Sequence, residues 1–282
     1  MNMDSLVSTE WLAAELGAAD LRIVDASYFL PEHGRDAVTE FAGAHIPGAV
    51  FLNLKTVADT ASPYPTMLPS TDAFTQAMQA LGISATARVV IYDASPIHSS
   101  ARAWWMLRHF GFEEVAILDG GLAKWQAERR VTERGDAAPL PATLSGLSPR
   151  SDVRTLADMR ETLVGGAEQV LDARSAARFS GEEPETRPGV ASGHIPGAKH
   201  LHYATLFNPD GTWKSRANLR TAFENSGVDL SRPIVTTCGS GITAAVLAFG
   251  AHLLGVETAL YDGSWSEWGA DPSTPKATGA IA

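Results

Sequence analysis

The chain has one cysteine, Cys238, in 282 residues. An intramolecular disulfide is therefore impossible, and such usage suits a reducing compartment. Positive charge is scarce: 22 Lys and Arg against 32 Asp and Glu leave a net charge of −10. Nucleic acid and anionic membranes call for a basic surface, so neither is expected as a partner, although a small basic pocket fits this balance. Long apolar runs are missing as well, with nothing near the ~18 consecutive residues of a membrane span. Met1 to Glu10 lacks a basic stretch followed by an apolar run, so a signal peptide is not expected. One cysteine and scattered histidines have no metal-ligand spacing, which argues against a zinc site. Together these absences describe a cytoplasmic globular protein.

What is present points first to duplication. A 45% hydrophobic, 19% charged composition can bury a core, and the length suits two domains. His45-Ile46-Pro47-Gly48-Ala49 recurs as His194-Ile195-Pro196-Gly197-Ala198, and Ile23-Val24-Asp25-Ala26 is matched by Val170-Leu171-Asp172-Ala173. Val89 to Asp93 runs parallel to Ile234 to Cys238, and Leu118-Asp119-Gly120-Gly121 with Trp125 to Tyr261-Asp262-Gly263-Ser264 with Trp268. Four matches in one order mean two copies of one domain. The Pro-, Gly- and Ala-containing stretch from about residue 132 to Pro141, continuing to Ser148-Pro149, reads as a linker, with domains at 1–141 and 142–282.

Each copy alternates strand and helix. Apolar runs at 21–27, 88–92 and 115–118, and at 169–173, 233–237 and 258–261, read as buried parallel strands. Helical spacing links Trp11, Leu12 and Leu16, and also Phe74, Met78 and Leu81, and residues 101–110 and 243–254 read as helices. The pattern predicts an α/β fold of two tandem domains, each a mostly parallel sheet flanked by helices. Trp104, Trp105, Trp265 and Trp268 are expected to serve core or interdomain packing.

Cys238 ends one of these strands and is followed by Gly239-Ser240-Gly241-Ile242-Thr243 and then a helix. Ligands in open α/β sheets bind beyond the carboxyl ends of strands. The glycines let several N–H groups converge on one point, and the helix directs its positive end there. Such a site favours a thiolate nucleophile over an inert buried thiol. The first copy has Asp93 in this place, so thiol chemistry belongs to the second copy alone.

With these motifs the chain resembles the rhodanese-type sulfurtransferases along nearly its whole length. The paired His-Ile-Pro-Gly-Ala segments, Asp172-Ala173-Arg174 and Tyr261-Asp262-Gly263-Ser264-Trp265-Ser266-Glu267-Trp268 carry the resemblance. The loop Cys238 to Thr243 resembles that of the 3-mercaptopyruvate sulfurtransferases, whereas thiosulfate sulfurtransferases usually place Arg-Lys after the cysteine. The resemblance implies a cofactor-free and metal-free reaction through a Cys238 persulfide. A small anionic sulfur donor would load it, and a thiol such as thioredoxin, or cyanide, would accept the sulfur.

The repeat also singles out arginines. Aligned on the aspartate, Pro31 stands opposite Arg178; aligned on the histidine, Val38 stands opposite Arg187. Arg178, which matches the family's Arg-Phe-x-Gly element, and Arg187, which follows Pro184-Glu185-Thr186, are thus candidates to grip the donor carboxylate and carbonyl with planar forks. Gly239, Gly241, Ile242 and Thr243 are expected to line the same site with their amides, and Ser240 to assist the reacting sulfur. Arg174 reads as a structural ion pair. The resemblance further implies a serine–histidine–aspartate relay of Ser240, His45 and Asp36, but His45 and His194 occupy equivalent places, which favours a structural role for both. Ser95-Pro96-Ile97-His98-Ser99-Ser100-Ala101-Arg102 departs from the related Ser-Ala-Pro-Arg pattern.

Rival readings are weaker. A cysteine phosphatase needs Cys-x5-Arg, and Ala244 stands where the arginine would be. Thiosulfate as donor is the nearest alternative, and a silent rhodanese-type binding module is the alternative from another class.

Overall fold

The computed structural model describes residues 3–137 and 139–279, so Met1, Asn2, the linker residue Ala138 and residues 280–282 lie outside the described residues. The first half carries five strands, β1 (Leu6–Val7), β2 (Leu21–Asp25), β3 (Ala49–Phe51), β4 (Arg88–Tyr92) and β5 (Val115–Leu118). They pair in parallel in the order β1-β5-β4-β2-β3. The helices are α1 (Thr9–Glu15), α2 (Ala37–Gly43), α3 (Thr71–Ala80), α4 (Ser100–His109) and α5 (Gly121–Ala127). The second half repeats the scheme with β6 (Val153–Arg154), β7 (Gln169–Asp172), β8 (Lys199–His200), β9 (Ile234–Thr237) and β10 (Ala259–Tyr261). Their parallel order, β6-β10-β9-β7-β8, is the first order copied strand for strand. Its helices are α6 (Leu156–Gly165), α7 (Ala176–Ser180), α8 (Arg216–Asn225), α9 (Ile242–Leu253) and α10 (Ser264–Trp268).

Strands β4 and β9 are buried along most of their length, because helices cover both faces of a parallel sheet. Their sequences therefore lack alternation: β4 is apolar after Arg88, and β9 is Ile-Val-Thr-Thr, buried and β-branched throughout. One face of the first sheet presents Ile23, Val90 and Leu118 to Leu12 of α1 and Trp125 of α5. The matching face of the second presents Val170, Val235 and Tyr261 to Met159 and to Trp265 and Trp268. All four tryptophans singled out by sequence are buried; Trp265 and Trp268 donate their indole N–H groups to the carbonyls of Ala191 and Pro275. The edge strands β1, β3, β6 and β8 leave no signal in the sequence, because two or three residues cannot display a period.

The chain forms two compact units. One comprises the described residues of Met1–Asp59, Leu68–Arg150 and Phe207–Trp213; the other those of Thr60–Met67, Ser151–Leu206 and Lys214–Ala282. The main boundary falls at Arg150/Ser151 rather than at 142. The linker continues along the first unit because the N–H of Ala142 bonds the Gln79 carbonyl, the Gln79 amide bonds the Leu144 carbonyl, and the N–H of Arg150 bonds the His109 carbonyl.

Helix starts separate into two kinds. Ser8, Asp36, Ser70, Thr155, Ser175 and Ser215 each accept a backbone N–H from the first turn of the helix they precede. Helices α4, α5, α9 and α10 have no such side-chain cap, and α4 and α9 follow the central strands β4 and β9. The first amides of α4 and α9 are left for whatever group ends the preceding strand.

Candidate active site

Cys238 follows the last residue of β9 and is buried. Its Sγ accepts hydrogen bonds from the N–H groups of Ser240, at 3.4 Å, and Gly241, at 3.1 Å. Gly241 makes this possible by adopting φ +83° at the N-cap of α9, a left-handed conformation that glycine takes without strain. The amides of Gly239, Ile242 and Thr243 make no hydrogen bond to the sulfur, so two of the expected loop amides do this work. The helix dipole of α9 adds to them. The arrangement stabilises negative charge on sulfur, as thiolate or as persulfide.

The carbonyl side of the loop is held equally well. The Cys238 carbonyl accepts the N–H of Trp265 at 2.9 Å, and the Gly239 carbonyl accepts the N–H of Ser266 at 3.0 Å and its hydroxyl as well. The N–H of Cys238 bonds the hydroxyl of Ser264 at 3.2 Å, and that hydroxyl donates to the Tyr261 carbonyl. Ser264 sits at φ +50°, where the first copy has Gly121 at φ +56°. A serine accepts this strained backbone in the copy where its hydroxyl has a cysteine to hold.

Both candidate arginines reach this loop. A Cβ added to Gly239 would lie 3.4 Å from Nη2 of Arg178, and Nη1 of Arg187 bonds the Gly239 carbonyl at 3.3 Å and the Ser266 hydroxyl. Arg178 directs Nη2 to both oxygens of Glu185. Its Nε and Nη1 make no hydrogen bond among the described residues. Arg174 lies deeper, with its Nε and Nη2 on the Asp172 carboxylate, Nη1 on Glu185 and its guanidinium over the Trp265 ring. Arg174 is a structural ion pair, as expected.

The symmetry argument for the arginines needs correction. In both copies a histidine stacks on a phenylalanine and bonds that residue's carbonyl through Nδ1 at 2.8 Å: His45 on Phe41, and His194 on Phe179. These pairs set the register, and they place Glu40, not Pro31, opposite Arg178. The phenylalanine stands 4 residues before the histidine in the first copy and 15 before it in the second. The extra segment carries Glu185 and Arg187, so Arg187 has no counterpart and Val38 is not one. Fixed offsets from the aspartate or the histidine misplace these residues because each copy has its own insertion between the two anchors.

Asp36 and His45 are not joined. The Asp36 carboxylate caps α2 by accepting the N–H of Thr39, while the buried His45 is bridged through its backbone to Glu133. His194 is bridged in the same way to Ala277. Ser240 contributes its N–H to sulfur, and its hydroxyl makes no hydrogen bond among the described residues. Ile242, at the start of α9, is buried and Thr243 follows it in the first turn.

Three residues of the site escape the sequence reading. Glu185, whose side chain is 2% exposed, bridges Arg174 and Arg178; it lies within a segment singled out for its arginine alone. Ser266 ties Arg187 to the cysteine loop, and the signal was available, since the repeat places Ala123 opposite it. Tyr203 is half-buried, and burial together with the nearby Cys238 raises its phenol above the ordinary range, keeping it a protonated donor.

Comparison with known proteins shows the family. The rhodanese-like domain model matches residues 8–128 and again 155–271. Human 3-mercaptopyruvate sulfurtransferase is 42% identical over 271 residues, covering 94% of this chain and 91% of its own. Chicken thiosulfate sulfurtransferase is 39% identical, covering 94% and 93%. The crystal structure of SseA from Escherichia coli, described as a 3-mercaptopyruvate sulfotransferase, superposes with a TM-score of 0.85 at 36% identity, covering 93% of this chain and 99% of that one. Two copies of one domain, a cysteine cradle in the second and matches that run through both copies have one reading: the chain belongs to the rhodanese family, with two rhodanese-like domains and its cysteine in the second.

Proposed function

We propose that the chain is a 3-mercaptopyruvate sulfurtransferase. The observation that carries the reading is the convergence on one loop of the Cys238 sulfur, two amide donors and the guanidinium groups of Arg178 and Arg187. The arginines suit a donor with a carboxylate and an adjacent carbonyl, which planar forks bind through paired hydrogen bonds. The Cys238 thiolate attacks the donor's terminal sulfur. A sulfur–sulfur bond forms, the carbon–sulfur bond breaks, and its electron pair leaves on carbon as the enolate of pyruvate, which then takes a proton. The persulfide gives up its own proton and rests as an anion on the amides of Ser240 and Gly241. A thiolate acceptor, such as that of thioredoxin, then attacks the outer sulfur and returns Cys238 as thiolate. Two half reactions through one covalent intermediate predict ping-pong kinetics.

Ser240, with its unbonded hydroxyl, is suited to hydrogen-bond the sulfur in transit. His45 and Asp36, spent on a carbonyl and a helix cap, support a structural role over a proton relay. A catalytic thiol needs a reducing compartment, which supports a cytoplasmic setting; among the described residues no helix is long and apolar enough to cross a membrane.

A thiosulfate donor is the second reading, favoured by the chicken relative. Comparing kcat/KM for the two donors decides between them. Mercaptopyruvate should lead by at least about tenfold, or roughly 1.4 kcal/mol at the transition state. Equal or reversed values make the chain a thiosulfate sulfurtransferase, and no persulfide from either donor makes it a binding module.

A further inference from the structure

Thr66 lies in the first half of the sequence, between β3 and α3, yet the segment Thr60–Met67 belongs to the same compact unit as Cys238. Its hydroxyl oxygen stands 2.6 Å from the carbonyl oxygen of Ser240, closer than the 2.8 Å to the carbonyl of Pro65. A hydroxyl has one proton to give, and the nearer acceptor is the Ser240 carbonyl. That carbonyl shares its peptide plane with the N–H of Gly241, which is the shorter of the two hydrogen bonds to the Cys238 sulfur. The two ends of a trans peptide point in opposite directions. Holding the oxygen on one side therefore aims the N–H on the other, and a hydrogen bond to the oxygen polarises the amide into a stronger donor. Thr66 also sits at φ +57°, a costly backbone for a β-branched residue, and strain of this kind persists where the surroundings enforce it.

The first copy has no such arrangement. There Ser95 occupies the place of Ser240, and its carbonyl accepts the N–H of His98 from its own loop. The carbonyls of Cys238 and Gly239 are held by α10, through Trp265 and Ser266. The Ser240 carbonyl is held from a distant stretch of sequence.

We propose that Thr66 is a positioning residue that orients and polarises the Ser240–Gly241 peptide, and so stabilises the anionic sulfur of Cys238. It acts through the peptide, with no contact to substrate. The inference deepens the proposed function in that it rests on Cys238 working as an anionic sulfur. It does not depend on which donor loads it.

The test is the rate of Cys238 alkylation by iodoacetamide as a function of pH, which is unambiguous in a chain with one cysteine. The pH midpoint reports the balance of thiol and thiolate, and the limiting rate reports access. Thr66→Val keeps the shape and the branching but removes the hydroxyl. Its midpoint should rise by roughly 0.5 pH unit, the fraction of one hydrogen bond expected to pass through an amide. Thr66→Ser keeps the hydroxyl and should return the midpoint to that of the parent chain. Thr66→Gly removes the hydroxyl and relieves the backbone, so it folds where Thr66→Val does not, and it should show the same rise. An unchanged midpoint in the folded variants, or a change in limiting rate alone, overturns the proposal. The alkylation uses no donor, so its result stands apart from the donor comparison: mercaptopyruvate failing as donor leaves the Thr66 outcome intact, and the reverse holds.

Discussion

The ends of β4 and β9 are the same place in two copies of one fold, and they hold anions of different kinds. Six residues separate Asp93 from the start of α4, and three separate Cys238 from the start of α9. In the longer loop the Asp93 carboxylate takes the N–H of Ser95 on one oxygen and of Ser100 on the other, each at 2.8 Å. In the shorter loop the sulfur takes two N–H groups in the same fashion. An uncapped helix start needs an acceptor, and the strand end supplies it in both copies. The first copy closes the cradle permanently with a carboxylate. The second leaves it to the sulfur of a lone thiol, the group on which the proposed sulfur transfer would run while the amides stay in place.

The surroundings diverge by the same logic. Opposite Arg178 the first copy has Glu40, paired with Arg35. Asp25 and Asp172 are equivalent, but Asp172 meets the guanidinium of Arg174, while Asp25 has Ser27 at that position and is met by the hydroxyl and N–H of Ser27 and by the Tyr92 hydroxyl. Burial then pushes the Asp25 carboxyl up to about 6.

The comparison can be broken most severely at the cysteine. Cys238→Ser should abolish sulfur loading outright, seen by intact mass as no added sulfur after donor treatment. Asp93→Cys should still load one sulfur per chain, because the first copy has Glu40 in place of one clamp arginine and no equivalent of the other. Two added sulfurs would show that the cradle alone is enough.

Next in size is the buried ion pair. Arg174→Met leaves Asp172 and Glu185 without their shared cation and should lower the unfolding free energy by about 3–5 kcal/mol, read by urea denaturation. A neutral result would mean the carboxylates find other partners.

The clamp comes third. Arg178→Ala or Arg187→Ala should reduce kcat/KM for mercaptopyruvate roughly ten- to hundredfold, since charge-assisted hydrogen bonds contribute about 1.5–3 kcal/mol each. Arg35→Ala, in the first copy, should cost far less. Single-turnover kinetics would place the loss in the first half reaction, with transfer from a preformed persulfide to a small thiol near normal; loss in the second half reaction instead would remove the arginines from donor binding.

The smallest effect concerns Asp25. Its native carboxyl holds a proton to higher pH than the unfolded one, so its contribution to stability is complete below about pH 4 and is lost as pH rises through about 6. Asp25→Asn lacks this loss. Measured against the parent, its unfolding free energy should gain on the order of 2 kcal/mol between pH 4 and pH 7. A difference that stays flat with pH would place the Asp25 carboxyl near its ordinary range.

The sequence by itself determined the duplicated α/β fold, and it singled out the strand end that carries Cys238 and the two arginines that reach its loop. These are legible because buried parallel strands are rich in apolar and β-branched residues, a repeat in one order marks two copies of one domain, and Cys238 has no competitor. Tertiary structure alone decided the partners. Glu185 could be assigned to Arg178 and Arg174 only once α7 and the inserted segment were folded back on each other, because local spacing does not say which of several carboxylates a buried guanidinium will meet. The true counterpart of Arg178 needed the stacked Phe41–His45 and Phe179–His194 pairs, since insertions of unequal length erase a fixed offset. The contact of Thr66 with Ser240 spans 174 positions. A hydrogen bond at that separation has no trace in periodicity or motif, because chain folding sets it and the chemistry of the two residues does not.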